Sequence, residues 1–327
     1  MNILLTGGAG YIGSHVVVAL IDQGHKVTII DNLSTGNRDL LFPGVKFYQS
    51  NINDSKKISE IIRIHNFDAI MHFAGFVKVE ESVKNPSKYF ENNTKNAIKL
   101  FECCYKNNLR NIIFSSTAAV YGNPTNRLSI KETNKLSPLN PYGESKKRTE
   151  DFLLSNKNRF NFMILRYFNV AGADTNLRCG LINDEATHLI KIISEVAVGR
   201  RKEIKIYGDD YDTPDGTAIR DYIHVSDLAD IHIQTCEYLL KENKSEIFNC
   251  GYGTGYSVME VIKIANILTK NKIKWKIAAK RKGDSTALVS NIEKLFNTIN
   301  WRPKYNELSK IIKTSIDWEK KLYEKNL

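Results

Sequence analysis

A glycine-rich loop between an early strand and an early helix constrains the fold of this chain more than any other feature of its sequence. Residues 2–6 form an apolar run, residues 11–23 have a helical pattern, and Gly7, Gly10 and Gly13 lie at the junction. Glycines at this place allow a tight turn, a close approach of the backbone to a pyrophosphate and close packing of the helix on the sheet. The free N–H groups of the helix N-terminus add anion-binding capacity. The loop therefore predicts a dinucleotide-binding site.

An acidic residue ends the second predicted strand, residues 26–30. It is Asp31, which lies 18 residues after Gly13. A carboxylate at this place can accept hydrogen bonds from both hydroxyls of the adenosine ribose, and it would repel a 2′-phosphate. The arrangement therefore favours NAD over NADP as the cofactor. The alternative is a structural glycine turn with an aspartate that caps a helix.

Short β-branched runs alternate with amphipathic stretches through the first half of the chain. Such alternation predicts an α/β fold with a doubly wound parallel sheet of the Rossmann type, covered by helices on both faces. The predicted strands are residues 2–6, 26–30, 45–49, 69–73, 111–115 and 162–166, and the predicted helices are residues 11–23, 55–65, 86–107 and 142–155.

The rhythm becomes irregular after Asn169, where glycine and proline interrupt it. A chain of 327 residues has room for two domains. We expect an NAD-binding Rossmann domain over residues 1–174 and a smaller α/β domain for the substrate over residues 175–327. Residues 221–250 again have the pattern of a helix followed by a strand. We expect them to return to the first domain, so that the two domains are partly intertwined.

Composition places the chain among ordinary globular proteins. Hydrophobic residues make up 42% and charged residues 25% of the chain, which argues against disordered and fibrous classes. The longest clean apolar run near the start, residues 16–21, is far shorter than the roughly 20 residues of a membrane span. No basic stretch precedes an apolar one at the N-terminus, so we expect no signal peptide, no membrane partner and a cytoplasmic location.

Net charge and cysteine content argue against two further classes of site. The 47 basic and 36 acidic residues leave a net charge of +11, but no basic run is longer than residues 146–148. We expect a solvated lysine-rich surface and no nucleic-acid partner, although a phosphorylated small-molecule substrate fits this charge as well. The five cysteines lack Cys-x-x-Cys spacing, so we expect packing residues and no metal site.

A phenol and an ammonium group form a candidate catalytic pair. Tyr142 and Lys146 are four residues apart in a predicted helix, so their side chains lie on one face of it. A tyrosine has a pKa near 10, and a neighbouring cation, together with the positive nicotinamide ring, would lower that pKa toward neutral pH. Downstream of a dinucleotide loop the pair predicts a general base, whereas alone it would indicate only a surface pair.

Three hydroxyl side chains lie at the end of the fifth predicted strand and just after it. They are Ser115, Ser116 and Thr117, at the carboxyl edge where parallel sheets bind ligands. A hydroxyl at this edge can form a hydrogen bond with a reacting oxygen. Alternatively, Ser115 and Ser116 satisfy the loop backbone or contact the nicotinamide ribose.

Several longer segments resemble the UDP-glucose 4-epimerases, a group within the extended short-chain dehydrogenase/reductase family. The glycine loop has the Gly-x-x-Gly-x-x-Gly spacing of that family. The most specific segments are Leu-Arg-Tyr-Phe-Asn at 165–169 and Asp-Gly-Thr-x-x-Arg-Asp-Tyr-Ile-His-Val at 215–225. The other matching segments are TGGAGYIGSH at 6–15, DNLSTGN at 31–37, HFAG at 72–75, FSSTAAVYG at 114–122, NPYGESK at 140–146 and NWRPKY at 300–305.

The resemblance implies epimerisation at carbon 4 of UDP-hexoses, with NAD tightly held and regenerated in each cycle. Tyr142 would remove the proton of the 4-hydroxyl while hydride leaves carbon 4, and it would return that proton after the 4-keto sugar has rotated. Lys146 would support this electrostatically and hold the nicotinamide ribose, and Thr117 would supply the hydrogen-bonding hydroxyl. The resemblance also implies a homodimer formed through the helices near 86–107 and 142–155.

The resemblance also assigns residues to two binding sites. The cofactor site would comprise Gly7, Gly10, Tyr11, Ile12, Gly13, Asp31, Asn32, Asn51, Ile52, Phe73, Ala74, Gly75, Asn93, Ser115, Tyr142 and Lys146. The site for the UDP-sugar would comprise Thr117, Tyr142, Asn169, Tyr207, Arg220, Arg281, Asp284 and Leu288. Without the resemblance, Arg220 would be interpreted as an ion-pair partner of Asp221 or Asp227.

A few positions depart from the family pattern. Asn51 replaces an aspartate that touches adenine, Val77 replaces a lysine near the nicotinamide, and Thr187 with His188 replaces an asparagine pair. Leu288 occupies the position at which a large tyrosine excludes 2-acetamido sugars. We therefore hypothesise that UDP-N-acetylglucosamine and UDP-N-acetylgalactosamine are accepted alongside UDP-glucose and UDP-galactose.

Alternative functions remain on the same fold. A nucleotide-sugar 4,6-dehydratase carries Asp-Glu directly after the active-site threonine as acid and base, whereas this chain has Ala118 and Ala119. A UDP-uronate 4-epimerase has a carboxylate site that the sequence does not reveal. An NAD-sensing binding protein without catalysis would be indicated by loss of Tyr142 or Lys146, and both are present.

Overall fold

A computed structural model describes residues 1–183, 185, 187–281 and 285–325 of the chain. The strands are β1 Asn2–Thr6, β2 Lys26–Asp31, β3 Lys46–Gln49, β4 Ala69–His72, β5 Asn111–Thr117, β6 Asn161–Tyr167, β7 Asn169–Ala171, β8 Ile204–Tyr207, β9 Ile219–His224, β10 Glu246–Cys250, β11 Gly255–Ser257, β12 Trp275–Ala278 and β13 Ala287–Leu288. The helices are α1 Tyr11–Asp22, α2 Ser55–His65, α3 Val79–Lys84, α4 Pro86–Tyr89, α5 Ala97–Lys106, α6 Pro141–Ser155, α7 Leu189–Ala197, α8 Val225–Glu242, α9 Val258–Thr269, α10 Glu293–Ile299 and α11 Leu308–Lys325.

Seven strands form one large sheet in the order β10-β6-β5-β4-β1-β2-β3, and every neighbouring pair is parallel. One face packs against α1 and α8, and the other packs against α2 and α5. The predicted doubly wound α/β fold is confirmed. The strand order reverses between β1 and β4, and ligands of such sheets bind in the crevice at this point. The glycine loop after β1 opens there.

A second, smaller set of strands lies in the later part of the chain. β9 pairs with β7, β11 and β13, and β8 pairs with β12. Helices α7, α9 and α11 enclose a separate apolar core against these strands. The chain returns to the large sheet with α8, which packs on α1, and with β10 at the sheet edge. The division at residues 174 and 175 stays a prediction.

Two predicted elements differ from the structure in type. The helix predicted over residues 86–107 comprises α4, a π-helical stretch Phe90–Asn96 and α5. The helix predicted from residue 221 begins only at Val225, because residues Ile219–His224 form the central strand of the smaller sheet. Among the described residues, no helix combines the length and the apolar character that a membrane crossing requires.

Candidate active site

The glycine loop forms a cradle with no room for side chains at two of its glycines. Gly7 has φ +78°, and a Cβ there would lie 2.6 Å from the backbone nitrogen of Ala74. A Cβ on Gly13 would lie 2.2 Å from the carbonyl oxygen of Gly7. Gly10 is the N-cap of α1 and supplies no capping side chain, so the first N–H groups of the helix have no side-chain acceptor. This cradle fits a pyrophosphate at the helix N-terminus.

Asp31 is buried at the end of β2 and is held by two backbone N–H groups. Ala9 N donates to its Oδ2 at 3.0 Å, and Leu33 N donates to its Oδ1 at 2.8 Å. Burial raises the pKa of the Asp31 carboxyl, and these two hydrogen bonds offset part of that rise. The carboxylate faces the cavity beside the glycine loop. Its position suits an acceptor for ribose hydroxyls.

Replacing Asp31 with alanine should release NAD from the purified protein. The substitution removes the ribose acceptor and leaves Ala9 N and Leu33 N without their partner, so we expect NAD affinity to fall about 10- to 100-fold, the effect of about 1.5–3 kcal/mol in charge-assisted hydrogen bonds. The measurement is the amount of nucleotide per chain after extensive dialysis. Asp39→Ala, an exposed carboxylate nearby, is the matched control. Equal retention in both variants would contradict the assignment.

A cavity of about 390 Å³ extends from the glycine loop to the carboxyl ends of β4 and β5. This volume lies within the range of small-molecule and cofactor sites. The residues proposed from the sequence that line it are Gly7, Gly10, Tyr11, Ile12, Gly13, Asp31, Asn32, Asn51, Ile52, Phe73, Ala74, Gly75, Ser115, Thr117, Tyr142, Lys146 and Asn169. The structure therefore brings these side chains together around one cavity.

Tyr142 and Lys146 are placed by the start of α6. Asn140 is the N-cap, and its side chain accepts a hydrogen bond from Gly143 N at 2.9 Å. Lys146 is buried, and its Nζ donates to the carbonyl oxygen of Ser115 at 2.9 Å. Burial lowers the pKa of Lys146 to about 8, so it is mostly charged at neutral pH.

The pKa of Tyr142 is shifted in the direction opposite to the one predicted from the sequence. Removal from water raises it above 10, and a hydrogen bond with Thr117 offsets only part of that rise. Thr117 ends β5, and its Oγ1 accepts from Ala119 N at 3.1 Å. The predicted lowering is therefore not produced by the residues of the chain, because desolvation of the phenolate outweighs the hydrogen bond with Thr117. The neutral phenol is the resting state.

Ser115 and Ser116 point to opposite faces of β5, as successive residues of a strand do. Ser115 Oγ lies 2.6 Å from the hydroxyl of Tyr167, on the side of α8. Ser116 Oγ donates to Glu150, which is itself paired with the buried Arg166. Both serines are thus tied to side chains rather than to loop backbone.

Tyr207, Arg220 and Arg281, which the resemblance also assigns to the sugar nucleotide, are not among the residues that line the cavity. The Arg281 guanidinium stacks over the Tyr207 ring at 3.9 Å, and its Nε lies 3.6 Å from a carboxylate oxygen of Glu80. Arg220 donates to the carbonyl oxygens of Ile219 and Ser285. Their predicted roles at a pyrophosphate stay predictions. Asp284 lies outside the described residues.

Two aspartates were the alternative partners of Arg220, and both bind other groups. Asp221 accepts hydrogen bonds from the backbone of Tyr252, Gly253 and Ser290 and from the Ser290 hydroxyl. Asp227 accepts from the Tyr252 hydroxyl and from the backbone of Lys304 and Tyr305. These carboxylates therefore act as anchors for loops of the smaller part.

Leu288 and Asn93 line other surfaces than the cavity. Leu288, half-buried in β13, lies opposite Arg220 and packs against the apolar cluster of Ala118 and Phe168. Asn93 is buried behind the cavity wall, where its Oδ1 accepts from Phe76 N and its Nδ2 donates to Phe76 O. It holds the loop that carries Gly75.

The cavity is also lined by residues that the sequence does not predict as part of the site. They include Ser34, Thr35, Gly36, Asn37, Leu40, Phe76, Phe168, Leu181, Ile182 and Asn183. The segment at 31–37 was matched as a motif, and its polar residues after a strand end could have pointed to the adenosine side. His188, whose role the sequence left open, is exposed and lines the cavity as well. Within the described residues, no group of side chains has the composition of a metal site.

Comparisons with known proteins agree with this geometry. Residues 3–251 match the model of the NAD dependent epimerase/dehydratase family. The chain is 43% identical over 323 residues to the UDP-glucose 4-epimerase of Azospirillum brasilense, covering 98% of this chain and 92% of that protein. It superposes with TM-score 0.95 and 32% identity on the UDP-glucose-4-epimerase of Stenotrophomonas maltophila with bound NAD and formylated UDP-arabinopyranose, covering 99% of both chains. The UDP-Glc/GlcNAc 4-epimerase of Campylobacter jejuni matches with TM-score 0.84 and 42% identity over 98% of this chain and 99% of that chain.

Proposed function

The chain belongs to the NAD dependent epimerase/dehydratase family, and on this premise we propose that it inverts carbon 4 of UDP-hexoses, interconverting UDP-glucose and UDP-galactose. It is an isomerase that uses NAD. The observation that carries the proposal is the convergence of Tyr142, Thr117 and Lys146 on the cavity that begins at the glycine loop. A phenol, a hydroxyl and a cation at one point suit the removal and return of a proton on an alcohol.

The side chains divide the work between proton transfer and orientation. Tyr142, hydrogen-bonded to Thr117, would accept the proton of the sugar 4-hydroxyl in its phenolate form, which the charge of Lys146 and the positive nicotinamide ring would stabilise when NAD is bound, and it would return that proton to the same oxygen. Lys146 lies on the same face of α6 as Tyr142, so its charge is near the phenol. The carbonyl oxygen of Ser115 holds the Lys146 ammonium group in place. NAD supplies the hydride acceptor when bound. Because hydride and proton both return to the sugar, substrate and product have the same oxidation state.

Elimination of water is less well supported by the residues after Thr117. Ala118 and Ala119 occupy the positions where a dehydratase of this fold carries its acid and base, and neither can move a proton. Ala118 is also packed in the apolar cluster with Val120 and Tyr121. The 4,6-dehydratase alternative is therefore not favoured.

The decisive experiment follows the sugar directly. The purified protein is incubated with UDP-galactose without added reductant, and the products are resolved by NMR. Formation of UDP-glucose without net change of NAD supports epimerisation. A 4-keto-6-deoxy product would indicate elimination, and no conversion of UDP-galactose with conversion of UDP-galacturonate would indicate a uronate epimerase.

The 2-acetamido sugars are a finer proposal that depends on Leu288. This side chain is half-buried against Ala118 and Phe168, next to the end of β5. A leucine is smaller than a tyrosine, and one similar enzyme is named a UDP-Glc/GlcNAc 4-epimerase. We therefore expect turnover of both the plain and the acetamido pair.

Replacing Leu288 with tyrosine should remove only the acetamido activity. Overfilling of a packed site costs about 1–3 kcal/mol, so kcat/KM for UDP-N-acetylgalactosamine should fall roughly 10- to 100-fold while that for UDP-galactose changes little. Leu288→Ala, which adds no volume, is the control and should keep the wild-type ratio. Equal losses for both sugars in the tyrosine variant would contradict the role of this position.

We also propose the homodimer that the sequence predicts. Val79, Val83 and Leu139 are large apolar side chains that remain exposed on α3 and just before α6. A surface of this kind suits association through the helices near 86–107 and 142–155. Light scattering should give twice the 37.3 kDa of one chain. The cytoplasmic location stays a prediction.

A further inference from the structure

A chain of buried hydrogen bonds runs from α8 to the wall of the cavity. It begins at His232, whose Nδ1 lies 2.8 Å from the carbonyl oxygen of Leu228 in the preceding helical turn. His232 Nε2 contacts the Tyr167 hydroxyl, and that hydroxyl lies 2.6 Å from Ser115 Oγ. His232 is fully buried, and Tyr167 and Ser115 are buried as well. The proton transfers proposed above do not involve His232 or Tyr167.

The direction of every hydrogen bond in this chain follows from the Leu228 carbonyl. A carbonyl oxygen only accepts, so His232 Nδ1 must carry the proton. Burial lowers the pKa of His232 to about 4, so the ring is neutral and Nε2 has only a lone pair. Tyr167 must then donate its hydroxyl proton to Nε2. Burial raises the pKa of Tyr167, so this proton is present at neutral pH.

The same logic assigns the proton of Ser115. Tyr167 has one hydroxyl proton, which is engaged with His232, so it can only accept from Ser115. Ser115 Oγ–H therefore donates to Tyr167 and has no proton left for the cavity. Its remaining lone pairs make it an obligatory acceptor, although a serine hydroxyl by itself can act in both roles.

Two further contacts fix the two ends of this chain of hydrogen bonds. The carbonyl oxygen of Ser115 accepts from Lys146 Nζ at 2.9 Å, and Phe73 packs on the His232 ring with 4.8 Å between the ring centroids. Ser115, Tyr167 and Phe73 all line the cavity near Tyr142. Ser115 Oγ is therefore a fixed hydrogen-bond acceptor in the same cavity as the hydroxyls of Tyr142 and Thr117.

We propose that His232 is a positioning residue that acts through Tyr167 to present Ser115 Oγ as a hydrogen-bond acceptor to an N–H or O–H donor of the bound nicotinamide riboside. Two groups of that ligand carry the required donor, the carboxamide N–H and the ribose hydroxyls. The inference rests on the proposed use of NAD. If His232 carried its proton on Nε2, Tyr167 could donate to Ser115, and Ser115 would then be free to donate its own proton into the cavity. The donor on the ligand would then lose its acceptor.

The test compares NAD with 3-acetylpyridine adenine dinucleotide, which lacks the carboxamide N–H. The purified holoenzyme is equilibrated with an excess of an equimolar mixture of the two, desalted, and the bound nucleotides are quantified by mass spectrometry. Total retention after dilution is measured in parallel. The variants are His232→Phe, which removes the acceptor, and His232→Gln, which offers an amide oxygen near the place of Nε2. Thr235→Val is the control, because it removes another buried hydroxyl of α8 that bonds only to its own helix.

The expected result is that His232→Phe lowers the NAD-to-analogue ratio about fivefold, the effect of one hydrogen bond of about 1 kcal/mol. His232→Gln should restore the ratio, and Thr235→Val should keep it. If the donor is a ribose hydroxyl, the ratio stays constant while total retention falls in His232→Phe and recovers in His232→Gln. Both patterns support the proposal and distinguish the two donors.

Three other results would overturn it. Wild-type ratio and retention in His232→Phe would show that the histidine does not act on the ligand, and equal losses in Thr235→Val would show a merely structural effect. If His232→Phe does not fold, Tyr167→Phe breaks the same chain of hydrogen bonds, and wild-type behaviour of that variant would overturn the proposal. Absence of bound nucleotide in the wild-type protein would instead contradict the proposed function itself.

Discussion

Replacing Tyr142 with phenylalanine should lower kcat for UDP-galactose about 1,000-fold, because general acid–base groups contribute roughly 10²- to 10⁴-fold. The substitution removes only the hydroxyl that Thr117 contacts and leaves the ring in place beside Tyr89. Binding contacts elsewhere in the cavity are kept, so KM and the amount of bound NAD should change by less than about threefold. The measurement is steady-state turnover together with nucleotide content.

Tyr105→Phe is the matched control for this prediction. Tyr105 packs against the apolar cluster of α2 and α5 and is not among the residues that line the cavity. It should keep wild-type kcat. If Tyr142→Phe retained more than about a tenth of the wild-type kcat, another group would have to move the proton.

The free energy of unfolding should fall steeply as the pH drops below 6.5. Burial lowers the pKa of His15 and His232 to about 4 and that of His72 and His224 to about 3. An unfolded histidine titrates near 6.5. Between these values the unfolded chain binds protons that the folded chain does not, so acid favours unfolding. Stability from these groups is fully present above pH 6.5 and is lost as the pH falls toward 4.

Buried carboxyls oppose this effect in part. Burial raises the pKa of Asp31, Asp221 and Asp227, so these groups take up protons first in the folded state. With about two to four net protons taken up on unfolding, stability should fall by roughly 3–5 kcal/mol per pH unit between about pH 6 and 4.5. Against a total of about 5–15 kcal/mol, this predicts acid unfolding between about pH 4 and 5.

Urea unfolding, monitored by circular dichroism at pH 7.5, 6.5, 5.5 and 5.0, measures how the free energy of unfolding changes with pH. His72→Phe should reduce the proton uptake by about one, because the buried ring stacks on Phe114 and meets Phe101 edge-on, and burial there disfavours its protonated form. His65→Gln, which changes a half-buried histidine whose pKa is also lowered by burial, should reduce the slope less than His72→Phe does. A free energy of unfolding that is constant from pH 6.5 to 5.0 would contradict the neutral, buried state of these histidines.

Relations between residues close in sequence could be determined without the structure. The glycine loop, Asp31 at the end of the next strand, and Tyr142 with Lys146 on one helix face all follow from the fixed periods of strands and helices. The doubly wound sheet follows from alternation of those same periods. These features of the cofactor site were therefore available from the amino-acid order alone.

The tertiary structure decided what residues far apart in sequence do together. Tyr167 is 52 residues from Ser115 and 65 residues from His232, and no periodic pattern connects them. The sequence predicts a helix from residue 221, whereas Ile219–His224 form a strand because they pair with segments that lie elsewhere in the chain. The raised pKa of Tyr142 likewise depends on the groups that exclude water from it. Pairing, burial and desolvation are properties of the packed chain, whereas periodicity is a property of its order.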